Sequence, residues 1–179
     1  MCVQHSYNEY GLGPTDNYGS FKGVYGDYTT AMGAFGGNDT RCYNAQQLWI
    51  TGWSKPFYSI NISTILANSQ IVYIPVQNRG PTGIKILINY LPFDIIVSYR
   101  NLILPYDKPF LNIGQGVGDI KGLAIHRSNS NIPGTDTILI GIINMSRNTF
   151  LDPQTNLYFI LISFSDNFAS IKICLYYCL

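Results

Sequence analysis

The side chains able to do chemistry in this chain are few and widely spaced. There are two histidines, His5 and His126, one glutamate, Glu9, and four cysteines, Cys2, Cys42, Cys174 and Cys178. Zinc hydrolysis from a helix needs two histidines four positions apart, so that both imidazoles share a face, and a glutamate beside the first to activate the metal-bound water. His5, His126 and Glu9 cannot supply that arrangement in any register. A serine hydrolase would need a GxSxG elbow, which is absent, and Cys42 has no histidine base identifiable from sequence. A site built from all four cysteines would need paired CxxC units, which the spacing lacks. No catalytic residue is therefore assigned. His126 ends an apolar run and is followed by Arg127 and Ser128, which reads as a structural histidine. Gly114 to Gly118 lacks the GxGxxG spacing and a following helix, so no nucleotide is implied.

The densest pattern lies between Tyr25 and Trp53, YGDYTTAMGAFGGNDTRCYNAQQLWITGW. Its first half sets Met32 directly before Gly33 and ahead of Gly36 and Gly37, as a tight turn presenting an apolar side chain requires. Its second half reads as a short helix entered at Asn44 and ended at Gly52. Together these halves resemble the gametolysin family of zinc metallopeptidases, whose members carry YGDx(S/T)(S/T)xMG and then C(F/Y)NAxxxWxxGW. The residues carrying the resemblance are Tyr25, Gly26, Asp27, Met32, Gly33, Cys42, Asn44, Trp49 and Trp53. It implies that Met32 is the Met-turn residue beneath a metal, supporting the site without ligating it. It also implies a secreted parent enzyme that hydrolyses extracellular matrix or cell-wall proteins. Such an enzyme uses histidine-bound zinc to acidify water and a glutamate as general base.

The family motif HExxHxxGxxH is missing here. Gly11-Leu12-Gly13 echoes the family's Gly-Leu-x-His stretch, but Pro14 takes the ligand position. Aligning His5 with the second histidine instead puts Met1 and Cys2 where the first histidine and the glutamate belong. His5 is thus the one candidate metal ligand, and tight zinc binding by this chain is not expected. The chain is either a fragment lacking an upstream catalytic half or a degenerate homologue. The first is preferred, because the chain opens inside what the resemblance makes the active-site helix and MCVQHSYNEYGLG has no secretory signal. The alternative from another class is a non-catalytic glycan- or protein-binding module on a relic peptidase scaffold. Tyrosine-rich loops such as Tyr18 to Tyr28 would suit such a surface.

With 46% hydrophobic residues, 179 residues can build a real core. A net charge of +1 with 12% charged residues and no basic run argues against nucleic acid or an anionic membrane as partner. The longest apolar runs fall well short of the roughly 18 residues that span a bilayer. The four cysteines allow three pairings between which the sequence does not choose. Asn38-Asp-Thr, Asn61-Ile-Ser and Asn144-Met-Ser are glycosylation triplets, meaningful only on a secretory route.

From Phe57 onward, runs rich in Ile, Val, Tyr and Phe alternate with Gly, Pro, Asn and Asp at about the 8 to 12 residue spacing of a sandwich. The expected strands are 57–65, 70–76, 83–89, 95–100, 118–126, 137–143, 158–164 and 169–175. Ile95 to Arg100 and Ile125-His126 also resemble strands of gametolysin-like chains. The expected architecture is mainly β: residues 1–56 as the end of a metzincin-type catalytic domain, made of loops, Met-turn and short helix, then an antiparallel β-sandwich over 57–179.

Overall fold

The computed structural model describes residues 6–8, 42–77, 80–101, 121–128 and 137–176. Two sheets face one another across a shared apolar core. The first has six strands in the order β1 (Ser6–Asn8), β7 (Thr137–Ile143), β6 (Lys121–Ser128), β5 (Asp94–Asn101), β4 (Ile84–Leu87) and β2 (Tyr58–Asn61). The second has four, β3 (Gln70–Pro75), β10 (Phe168–Leu175), β9 (Leu157–Phe164) and β8 (Thr149–Leu151). The mainly β, two-sheet reading therefore holds. The strictly antiparallel one holds only for the four-stranded sheet, because β1 runs parallel to β7 and β2 parallel to β4. The second of these follows from the path. After β2 the chain crosses to the other sheet through α2 (Ile62–Ala67) and β3, and returns so that β4 enters from the same end as β2.

Two further differences have local causes. The expected strand 57–65 breaks after Asn61, whose side-chain oxygen accepts hydrogen bonds from the Ser63 amide (3.0 Å) and hydroxyl (2.9 Å). That cap starts α2, whose Ile62 and Ile65, three apart, then share the buried side. Strand β8 is only three residues long and runs straight into the turn Asp152-Pro153, so its single inward residue, Phe150, gives almost no periodic signal.

Strands β5, β6 and β7 are buried on both faces. Ile95, Val97, Tyr99, Leu123, Ile125, Ile140 and Ile143 meet Val72, Ile74, Phe159, Leu161, Ile171 and Ile173 of the opposing sheet. Ala124, Leu139 and Ile142 form a separate apolar group on the other face, which also carries Ser98, Arg100 and His126 by alternation and pairing. A bulge in the β6–β7 pairing, between Ile125 and His126, inserts Ile140 and brings Gly141 opposite Ile125.

The sheets are joined at a corner. Val76 bridges to Tyr99, and the Gln77 amide donates to the Tyr99 carbonyl (2.9 Å). The Tyr99 ring stacks on Phe164 (centroids 5.2 Å apart), and its hydroxyl donates to the Ser165 carbonyl at 2.6 Å. Burial, aided by the Asp166 carboxylate, pushes the Tyr99 phenol up to about 12. A phenol raised above its ordinary value of about 10 favours the fold while neutral, so its contribution is whole below pH ~10 and disappears as pH climbs through about 12. Denaturation midpoints measured from pH 9 to 12 are expected to fall less in Tyr99→Phe than in the parent. Equal slopes would show that this phenol is not perturbed by the fold.

Candidate functional site

The segment that carries the second half of the resemblance is docked on the six-stranded sheet by its own characteristic residues. Asn44 caps α1 (Ala45–Ile50): its side-chain oxygen accepts from the Gln47 amide, and the Gln47 side chain accepts from the Asn44 amide, both at 3.0 Å. Asn44 Nδ2 also donates to Thr137 Oγ1 at 2.7 Å, tying the cap to the start of β7. Trp49 Nε1 donates to the Thr82 carbonyl at 3.1 Å. Its ring lies against Gly83, where an added Cβ would stand 3.4 Å from Trp49, 3.2 Å from the Ala45 Cβ and 2.9 Å from the Val97 carbonyl oxygen. Gly83 has φ +68°, so both space and backbone require glycine there. Gln77 Nε2 donates to the Tyr43 carbonyl, and Arg100 reaches the Cys42 carbonyl at a long 3.5 Å. At the other end of α1, Gly52 at φ +77° reverses the chain after the Thr51 cap.

Of the residues singled out by sequence, the structure brings Cys42, Asn44 and Trp49 into this dock. Trp53 is directed outward, 70% exposed, with its ring 5.6 Å from that of Tyr43. His5, Tyr25, Gly26, Asp27, Met32 and Gly33 lie outside the described residues. His126 sits in β6 at 1% exposure, its pairing neighbours being Ile96 and Leu139.

Among the described residues no three His, Cys, Asp or Glu side chains come together as a metal would require. Their only histidine, His126, is enclosed in a sheet face. The described residues therefore do not fit a zinc site, and no step through zinc is derived from them. Among them, too, no helix is long and apolar enough to cross a membrane.

A surface that sequence reasoning missed lies on the outer face of the four-stranded sheet. Ile71 and Tyr73 of β3 and Phe168 of β10 stand exposed, as does Ile162 at the β9 bulge beside Ser170. Tyr73 and Phe168 meet edge to face, centroids 5.7 Å apart. Ser170, itself buried, pairs with Tyr73 and Lys172 with Ile71, and Thr149 of β8 pairs alongside Ile160. The run QIVYIP is apolar at nearly every position, so alternation gives no indication that one of its faces is open. Exposed apolar area gathered in this way is the usual mark of a binding surface.

Compared with protein-family models, with curated proteins and with solved structures, the chain matches none.

Proposed function

We propose that this chain is a truncated or degenerate gametolysin-like zinc metalloendopeptidase. In this reading residues 1–56 derive from the end of the catalytic domain and 57–179 form the accompanying β-sandwich. The observation that carries the reading is the use made of the family-type residues. Asn44 and Trp49, two of the residues on which the resemblance rests, are those that seat α1 on the sheet through Thr137 and Thr82. That these two each hold a definite contact supports an inherited architecture over chance composition. Hydrogen bonds from Asn44, Trp49 and Gln77 cross position 56, so the division is one of ancestry and the two parts share one interface.

The full-length parent would act on extracellular matrix or cell-wall proteins outside the cell. Its zinc chemistry is not available to this chain, whose two histidines and one glutamate cannot assemble the ligand set. Purified chain incubated with zinc and desalted is expected to retain substoichiometric metal and to cleave no general protein substrate. One zinc per chain with chelator-sensitive proteolysis would overturn the reading.

The exposed aromatic face favours a second reading, a non-catalytic glycan-binding module on the same scaffold. Tyr73 and Phe168 offer ring faces and edges for stacking, while Lys172 beside Ile71 offers hydrogen bonds. Electrophoresis through gels containing neutral polysaccharide is expected to retard the parent chain and not the Tyr73→Ala, Phe168→Ala double variant. Equal mobility of the two in every gel would count against it.

A further inference from the structure

We propose that Asn144, in the turn joining β7 to β8, is an acceptor for asparagine-linked glycosylation. This rests on the secretory route in the proposed function. The triplet Asn144-Met145-Ser146 occupies the turn that carries the chain from one sheet to the other, where the Asn144 amide donates to the Arg147 carbonyl (3.0 Å) and the Arg147 amide donates to Asn144 Oδ1 (2.8 Å). The side-chain oxygen is thus used to close the turn. The sugar would be attached to the nitrogen. Residues 145–148 are all exposed, Met145 at 71%, so a bulky glycan on this loop displaces no packed side chain.

The second described triplet is built differently. In Asn61-Ile62-Ser63 the middle residue is in the core at 3% exposure, and the asparagine oxygen accepts from both the amide and the hydroxyl of Ser63 while capping α2. A glycan there would stand at the joint between β2 and a packed helix. The third triplet, at Asn38, lies outside the described residues. Cys174 is disulfide-bonded, as expected of a chain folding in an oxidising compartment, where asparagine glycosylation also takes place.

The transfer balances without any oxidant. Asn144 Nδ2 attacks the anomeric carbon of an oligosaccharide carried on a lipid pyrophosphate, and the new nitrogen–carbon bond replaces the carbon–oxygen bond to phosphate. The bonding pair leaves with the lipid pyrophosphate, and the nitrogen gives up one proton. The hydroxyl of Ser146 completes the acceptor triplet.

The test is to express the whole chain behind a cleavable secretion signal in a eukaryotic host. Secreted and cell-retained pools are then digested with peptide N-glycosidase, and the peptides are read by mass spectrometry. Asn144 is expected to be converted to aspartate by the enzyme. One glycan's worth of mass is expected to be lost in Asn144→Gln and in Ser146→Ala, and kept in Ser146→Thr. Signal-cleaved chain carrying an unmodified Asn144, or sugar at Asn61 alone, would overturn the proposal. Because the signal is supplied, such a failure counts against this site alone. The zinc experiment bears on the peptidase reading separately.

Discussion

Asp152→Ala is expected to destabilise the fold by about 3–5 kcal/mol, the range for removing one partner of a buried ion pair. Asp152 is completely buried in the turn between β8 and β9 and pairs with Arg127, itself 4% exposed at the end of β6 in the opposite sheet. The carboxylate does more than neutralise the guanidinium. One oxygen accepts from the Thr155 amide (3.2 Å) and hydroxyl (2.5 Å), organising the turn, while the other takes the arginine. The guanidinium carbon lies 5.1 Å from the centre of the Phe93 ring, so the cation is enclosed by an aromatic face as well. Without Asp152, a buried cation loses its partner and a tight turn loses its acceptor at once. Removing both charges, as in Arg127→Met with Asp152→Leu, is expected to cost much less than the sum of the single changes. Guanidinium chloride denaturation followed by circular dichroism measures all three. A loss below about 1 kcal/mol in Asp152→Ala would show that the pair does not bind the sheets together.

Gly141→Val is expected to cost about 1–3 kcal/mol, the range for forcing atoms into a packed core. A Cβ built on Gly141 would meet the Phe150 ring at 2.8 Å. The ring cannot simply turn away, since Phe150 is wedged between the sheets at 7% exposure with Phe159 on its other side, centroids 6.2 Å apart. Gly141→Ala is expected to show a smaller loss of the same kind. Phe150→Leu is expected to be harmful alone, yet to recover part of the stability when combined with Gly141→Val, because it vacates the space the new methyls need. Strictly additive losses in that double variant would mean the two positions do not compete for one volume.

Much of the fold was legible where a residue acts on its own neighbours. Asn44 and Gly52 mark the ends of α1 because a cap and a left-handed residue are local requirements. The β-rich runs after Phe57 register as strands because Ile and Val suit a pleated, buried surface. What depends on distant partners was not legible. Nothing in Tyr58 to Asn61 says that its neighbour is β4 rather than β3, and the parallel edges come from that choice. The doubly buried stretch Asp94 to Arg100 and the half-open stretch Gln70 to Pro75 are both rich in apolar residues, yet one lies inside a covered sheet and the other at an edge. The dock was half readable. Asn44 and Trp49 stood out as members of a pattern, whereas Thr82, Gly83 and Thr137, which receive them, are ordinary residues until the fold brings them near.

Strand β6 is fastened to the opposite sheet at both extremities, by Arg127 to Asp152 and by Lys121 to Asp166. The second fastening is wet: the Lys121 hydrogen bond and charge hold the Asp166 carboxyl below its ordinary range, but that carboxylate stands in solvent. Added salt therefore acts on one extremity and leaves the other intact. The sandwich should breathe asymmetrically, hinging on its dry rivet, with amide exchange quickening first around the β9–β10 hairpin.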